Sequence, residues 1–456
     1  MKRSTRVTIL GGGVAGLAAG HFARRAGFEV TVYEADEVAG GNCRTVERSG
    51  FRFDTGAHRF HGRDPEATGE LAGLLGGRLR EVLAPSQIYS RGRFINFPLT
   101  PLNLALGLGP AATARAGLEV LGAALRKENG PADSLREFAV SRYGPTVAGR
   151  FLLNYSEKLW GLPAEALLPE VAGERMKGLT LGSFFRESLL GSRGLTRHLE
   201  GLFYYPTGGI EAIPRRLAES CGTENLRPGA KITRVFHARG RIEAVEINQG
   251  ETAGAELVVS SLPLGSLIQV LEPAPPREVS EAARALKYRG LVLAAVMLDR
   301  PRVTPNASVY FPEPEFRFTR VTEPRNRCPS MAPEGKTSLV AEIPADPGSV
   351  SWDAPDGELI EGVIADLGGL GWLKKSQVLD ACVVRLPCAY PVLSRGTGVM
   401  VEKITAWLAG LDNLFLTGRA GLHRYTHIHD LLGFGRRIAA GLAARSPRPA
   451  GALFAA

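Results

Sequence analysis

A glycine-rich turn between two short apolar runs constrains this chain more than any other feature. Residues 7–10 (Val-Thr-Ile-Leu) read as a strand, followed by Gly11-Gly12-Gly13-Val14-Ala15-Gly16 and a helical pattern. Gly11, Gly13 and Gly16 fit G-x-G-x-x-G. The first permits a tight turn, the second lets the backbone approach a pyrophosphate, and the third lets helix and strand pack closely. Val14 and Ala15 open the helix, whose free N–H groups and positive dipole end face that pyrophosphate. Residues 30–33 (Val-Thr-Val-Tyr) read as the next parallel strand, and Glu34 at its end is placed to accept from a ribose hydroxyl. Strand, turn, helix, strand and acid fall in register, so the first sixty residues predict a bound dinucleotide.

The 456 residues suffice for two or three domains. A hydrophobic content of 44% and a charged content of 22% are ordinary for a soluble globular chain. The net charge of +9 comes from scattered arginines without a basic block, which argues against nucleic acid as a partner and leaves an anionic small substrate or an acidic membrane surface open. The five cysteines are odd in number and lack metal-site spacing, so no metal is expected and a reducing, cytoplasmic setting is the simplest reading. Met1-Lys2-Arg3 before an apolar run imitates a signal peptide, but that run is the fingerprint strand and helix. The apolar stretch 102–125 is broken by Pro110, Arg115 and Glu119, so no integral membrane segment is expected, while peripheral association stays open.

Along the chain, β-α-β and a second glycine cluster (Gly40-Gly41) occupy residues 1–60. Residues 65–205 are mostly helical in pattern, with Pro98, Pro101 and Pro110 as breakers. A loop at 205–209 leads into a helix at 210–220, and β-branched runs follow at 231–236, 242–247 and 257–260. Residues 288–345 read as an antiparallel sheet, 414–417 as a last strand and 431–444 as a closing helix. The fold class is therefore α/β: a discontinuous Rossmann-type domain from residues 1–65, 205–265 and 385–445. A helical insertion (66–204) and a sheet (266–384) would form a substrate domain, and 446–456 a flexible tail.

With these segments in place, the chain resembles the flavin-dependent amine oxidase and protoporphyrinogen oxidase superfamily, closest to its UDP-galactopyranose-mutase-like branch. That resemblance implies FAD. Its site would be Gly11, Gly13, Val14, Ala15, Gly16, Glu34 and Ala35, joined by Gly41, Asn42 and Arg44 of the second glycine cluster, with Arg44 beside the pyrophosphate. The run 53–61 (Phe-Asp-Thr-Gly-Ala-His-Arg-Phe-His) resembles the mutase loop beside the flavin ring. By that match Gly56, Ala57 and His58 line the ring, and His58, a group that titrates near neutrality, could carry a proton there. Gly418 and Arg419 resemble the superfamily's final FAD contact, and Val235 its adenine-pairing strand. Residues 154–161 (Asn-Tyr-Ser-Glu-Lys-Leu-Trp-Gly) resemble the nucleotide-sugar segment, implying stacking by Tyr155 and Trp160 and an anion contact by Lys158. Arg175 takes the place of a substrate-proximal arginine. Arg419 and Tyr425 keep the spacing of a pair that grips a diphosphate. His58, Arg175, Arg419 and Tyr425 are thus the expected catalytic set.

Three departures bear on the chemistry. The acidic pair that mutases carry after the tyrosine is replaced by Thr426-His427-Ile428-His429. No lysine occupies residues 290–298, where amine oxidases place one beside the flavin. Cys388 falls near the position where some amine oxidases attach FAD covalently, though a buried free cysteine is the usual outcome. The leading expectation is an FAD-dependent oxidoreductase acting on a small molecule, nucleotide-sugar or isoprenoid-linked. The alternatives are a flavin-dependent sugar-nucleotide mutase, which explains residues 154–161 better but the missing acids worse, and an inactive FAD-binding protein. A homo-oligomer is compatible with all three.

Overall fold

The computed structural model describes residues 5–97, 101–124, 132–172 and 202–444. Five parallel strands form the sheet that the glycine turn requires, in the order Leu414–Leu416, Leu257–Ser260, Arg6–Leu10, Glu29–Tyr33, Leu226–Arg227. Thr8 lies opposite Thr31 on one side and Val258 on the other. Val7, Ile9 and Leu10 are buried because helices cover both faces of a parallel sheet. The fingerprint helix Val14–Arg25 and the closing helix Ile428–Ala444 share one apolar cluster with Ile9 and Val32. Ile404 and Leu408 of the helix Thr397–Leu408 pack with Leu10 and Val258 on the other side.

A seven-stranded sheet runs in the order Val378–Pro391, Tyr288–Leu298, Thr337–Pro344, Arg320–Thr322, Ser308–Tyr310, Ser86–Ser90, Arg93–Phe97. All neighbours are antiparallel except Ser308–Tyr310 beside Ser86–Ser90. The antiparallel reading of 288–345 holds. Tyr288–Leu298 is its most buried strand: Leu291, Leu293, Ala295 and Met297 pack on Phe51 and Phe53, whereas Val292, Ala294, Val296 and Leu298 meet the helix Asp356–Gly369. Two-sided burial explains why this strand reads as an unbroken apolar run rather than an alternation.

Two sequence expectations need correction. Within 66–204 the described residues are mostly helical, but the all-helical pattern missed three strands: Leu79–Leu83, Ser86–Ser90 and Arg93–Phe97 stand between the helix Pro65–Leu75 and the helices Pro101–Leu108, Pro110–Ala124, Leu135–Val147 and Asn154–Trp160. Ser86–Ser90 alternates buried and half-buried residues, and Arg91 and Gly92 turn it back with φ of 50° and 77°. That is the geometry of a two-residue hairpin turn. Residues 385–391, assigned to the dinucleotide-binding segment, lie instead in the strand Val378–Pro391 of the seven-stranded sheet. The tail 446–456 lies outside the described residues. Among the described residues no helix is long and apolar enough to cross a membrane.

Candidate active site

The carboxyl ends of the parallel strands open onto a crevice at the central strand Arg6–Leu10, whose two neighbours lead away in opposite directions. Gly11 donates its N–H to Tyr33 O at 2.9 Å, and Gly40 donates to Gly12 O at 2.9 Å, so the two glycine clusters abut. A Cβ on Gly41 (φ +56°) would stand 3.2 Å from the Gly13 Cα, and one on Gly16 would fall 2.0 Å from Gly11 O. Only glycine permits this backbone-lined cradle. The buried Glu34 carboxylate accepts from Gly12 N–H at 2.8 Å and Asp36 N–H at 2.9 Å, while Ala35 is exposed at the rim. Arg44 pairs with Asp36, and its Nε is buried with no hydrogen-bond partner. Gly418 (φ +90°) closes the cradle from the last strand, its Cβ position 3.1 Å from that of Ala15. A helix start, a glycine-lined groove and an unsatisfied guanidinium N–H together suit a pyrophosphate. Val235 packs in one apolar cluster with Leu10 and Tyr33 of the parallel strands. It is fully buried in the four-stranded sheet, and its N–H donates to Val270 O at 2.6 Å.

Asn42 and the loop after Phe51–Asp54 fix His58. Its Nε2–H donates to Asn42 O at 2.8 Å and Thr55 O at 3.2 Å, leaving Nδ1 as the acceptor facing the Cys43 thiol at 3.9 Å. Burial, and secondarily the Arg419 charge, lowers the imidazole to a pKa of about 4. Burial likewise pushes the Cys43 thiol up to about 12. His58 is therefore a neutral donor to two main-chain carbonyls at physiological pH, which corrects the expectation of a proton carrier. The Asn42 Nδ2 ties this loop to the seven-stranded sheet through Cys388 O at 2.8 Å. Cys388 is a free cysteine whose thiol burial pushes up to about 11.

Gly56, Ala57 and His58 line an open cavity, about 700 Å³ with its solvent-filled mouth included. Its polar wall holds Arg59, Arg320, Arg419, His61 and His427, together with Tyr390 and Tyr425; among the described residues no aspartate or glutamate lines it. Arg419 donates from Nε and Nη2 to Thr426 O at 3.0 and 2.5 Å, and its guanidinium lies 5.4 and 5.2 Å from the Tyr390 and Tyr425 ring centroids. Arg320 is held by Glu342 through contacts of 2.9 and 2.5 Å, and that carboxylate keeps it charged well above the ordinary arginine range despite burial. Arg59 donates to Ser86 Oγ at 3.0 Å and Ser308 Oγ at 3.2 Å.

The structure thus brings His58, Arg419 and Tyr425 together on one cavity. It does not bring Tyr155 and Trp160 to the wall, as stacking would require. Trp160 is buried behind Tyr390 and Tyr425, with ring centroids 5.8 and 6.2 Å away, and Tyr155 packs edge-on against Tyr310 at 5.6 Å. Lys158 is not an anion contact, since its Nζ donates to the carbonyls of Phe311, Glu313 and Phe318. Arg175 lies outside the described residues. Sequence reasoning missed Arg320, Arg59 and Tyr390. A cross-strand pairing of Arg320 with Glu342 shows only once register is known.

The profile of the "Flavin containing amine oxidoreductase" family matches residues 14–442. The chain is 23% identical over 446 residues to coproporphyrinogen III oxidase of Bacillus subtilis (strain 168), covering 90% of this chain and 93% of that one. Its fold superposes on reduced UDP-galactopyranose mutase with a TM-score of 0.84 at 19% identity, covering 99% and 98% of the two chains. A protein described as a protoporphyrinogen oxidase of Exiguobacterium sp. 255-15 aligns with a TM-score of 0.76 at 19% identity, covering 97% and 100%.

Proposed function

Since this chain belongs to the family of flavin-containing amine oxidoreductases, and is an FAD-dependent oxidoreductase by that membership, we propose that its substrate is an anion bearing carboxylate or phosphate groups. The observation carrying this reading is the cavity wall: three arginines and three histidines (His58 among them) with no carboxylate among the described lining residues. A cationic amine would meet only like charge there.

In this reading Gly11, Gly13, Val14, Ala15, Gly16, Gly41, Asn42, Arg44 and Gly418 hold the pyrophosphate and ring of FAD, and Glu34 its ribose. When bound, FAD supplies a two-electron acceptor able to take a hydride from a substrate C–H bond. The chain's residues bind and orient. Arg419 is fixed in direction by the Thr426 carbonyl and the two tyrosine faces, leaving its outer edge for an anion. Arg320 offers a second cation from the sheet, and its bond to Glu342 keeps the fork from swinging. Two fixed cations select a substrate with two anionic groups over one with a single charge. His58 holds its Nε2 proton on Asn42 and Thr55, so it shapes the wall and transfers no proton near neutrality.

A test presents the FAD-loaded enzyme with coproporphyrinogen III (the compound named in its B. subtilis relative), UDP-galactopyranose with and without dithionite, and a short alkyl diamine. Turnover of an anion in air, with KM raised at least tenfold in Arg320→Met and Arg419→Met, is expected. Turnover of the diamine alone would overturn the reading. The mutase reading keeps one observation in its favour, the joint presence of Arg419 and Tyr425 on the wall. Dithionite-dependent conversion of UDP-galactopyranose would establish it.

A further inference from the structure

Lys158 is a half-buried cation that stands away from the cavity. Its Nζ donates to Phe311 O at 3.0 Å, Glu313 O at 2.8 Å and Phe318 O at 2.7 Å, which uses all three N–H bonds of an ammonium. These carbonyls belong to the turn between the strands Ser308–Tyr310 and Arg320–Thr322. The turn begins one residue after Tyr310 and ends two residues before Arg320. Tyr310 is the platform at this corner: the Arg320 guanidinium lies 5.9 Å from its ring centroid, and the Tyr155 ring meets its edge at 5.6 Å. Tyr155 and Lys158 sit on the same short helix, Asn154–Trp160, three residues apart and so on one face. Beside Lys158, at the C-terminal end of that helix, Arg289 Nε donates to Leu159 O at 2.7 Å.

We propose that Lys158 is a positioning residue for the anion-binding wall, its ammonium clasping the 311–318 turn so that Tyr310, Tyr155 and the Arg320 guanidinium keep one arrangement. The proposal rests on the anionic-substrate reading above. A neutral side chain of similar length leaves three part-buried carbonyls without the Lys158 donor, and the turn that delivers Arg320 then loses its tie to the helix. The clasp is also sensitive to proton loss. Burial lowers the Lys158 pKa to about 8, against the opposing carboxylates of Glu313, Glu315 and Asp366; Asp366 is itself paired with Arg317 at 2.8 Å. Above that pH the amine keeps two donors for three carbonyls.

The test uses the FAD-loaded full chain, inorganic pyrophosphate as probe, and 4-fluorophenylalanine at position 155 as a fluorine NMR reporter. Lys158→Met should weaken pyrophosphate binding about tenfold and move the fluorine resonance, while FAD affinity stays within about twofold. Lys158→Arg, with its charge retained, should restore both. In the unsubstituted chain the resonance should shift with a midpoint near pH 8, and in Lys158→Arg it should not. Combined with Arg320→Met, Lys158→Met should add nothing further to the loss of binding, the mark of two residues acting through one contact. Unchanged resonance and affinity in Lys158→Met overturn the proposal. If the unsubstituted chain binds no pyrophosphate, the anionic-substrate reading fails, and the fluorine resonance alone still decides Lys158. If Lys158→Met does not fold, the pH titration of the unsubstituted chain against Lys158→Arg decides it.

Discussion

At His58 the imidazole gives its Nε2 proton to two main-chain carbonyls, and its surroundings penalise a charge so strongly that the pKa falls to about 4. Between that value and the ordinary 6.5, the unfolded chain binds a proton that the folded chain refuses, so stability falls as the pH drops through this window. Above pH 6.5 both states are neutral and the group contributes no pH dependence. His58→Gln, which keeps an N–H donor but cannot titrate, should flatten the urea midpoint between pH 6.5 and 4; an identical acid loss in both proteins would show that His58 is not its source. Arg320 shows the opposite logic. Its charge is tolerated only because Glu342, 3% exposed, faces it, so Glu342→Gln strands a buried cation and should cost about 3 kcal/mol in urea unfolding. An ion pair of this kind is invisible in sequence because its members stand 22 residues apart and meet only through strand register. His58 was legible as a position, from its glycine-flanked motif, but not as a neutral group, because burial sets its charge.

Among the elements, the strand–turn–helix unit at residues 6–25 was the most legible, since Gly11 (φ +99°) and Gly16 (a Cβ would strike Gly11 O) have backbone reasons for being glycine that lie within the motif. Two of its glycines do different jobs, and this yields a paired prediction. A Cβ on Gly13 would find its nearest neighbour, the Gly41 Cα, at an ordinary 3.9 Å, and its φ of −70° suits any residue. Gly13→Val should therefore fold with a near-normal circular dichroism spectrum yet purify without yellow colour, because the added methyls occupy the groove proposed for the pyrophosphate. A Cβ on Gly16 would instead strike Gly11 O at 2.0 Å, so Gly16→Ala should lose about 3 kcal/mol of stability even without FAD. A Gly13→Val protein retaining full flavin would remove the groove from the site. The hairpin Ser86–Phe97 was less legible. Its five-residue strands with a two-residue turn are short beside the helical stretch that follows, and the pairing that settles them, to Ser308–Tyr310, comes from more than two hundred residues away. The Asn154–Trp160 helix was legible as a motif, but the direction of its aromatic side chains was not, because Tyr310, Tyr390 and Tyr425 decide which way they face.

At the scale of the whole molecule, the crevice and the seven-stranded sheet are stitched together rather than merely adjacent. Asn42 donates to Cys388 O, Arg48 grips Asp380 through two bonds of 2.8 and 3.0 Å, and Arg59 reaches Ser86 and Ser308. These ties put the loops flanking the glycine cradle in the same cooperative unit as the cavity wall. The parallel sheet under the cradle is drawn from the first strands, from Leu257–Ser260 and from Leu414–Leu416, so in the proposed reading FAD is held by segments far apart in sequence. A ligand that binds only the folded molecule adds RT ln(1 + [L]/Kd), about 2.7 kcal/mol at a hundredfold excess over Kd. Because the cradle spans the chain, that increment should raise one shared transition rather than one of two. Differential scanning calorimetry of the apoprotein and of the FAD-loaded protein should show a single endotherm that moves upward as free FAD is raised. Arg48→Ala combined with Asn42→Ala cuts two of the ties, and should split the endotherm into an FAD-dependent and an FAD-independent component. If the unsubstituted chain already melts in two steps, with only one of them responding to FAD, the stitching is too weak to couple the cradle to the wall. Substrate orientation by Arg320 would then have to be set within the sheet alone.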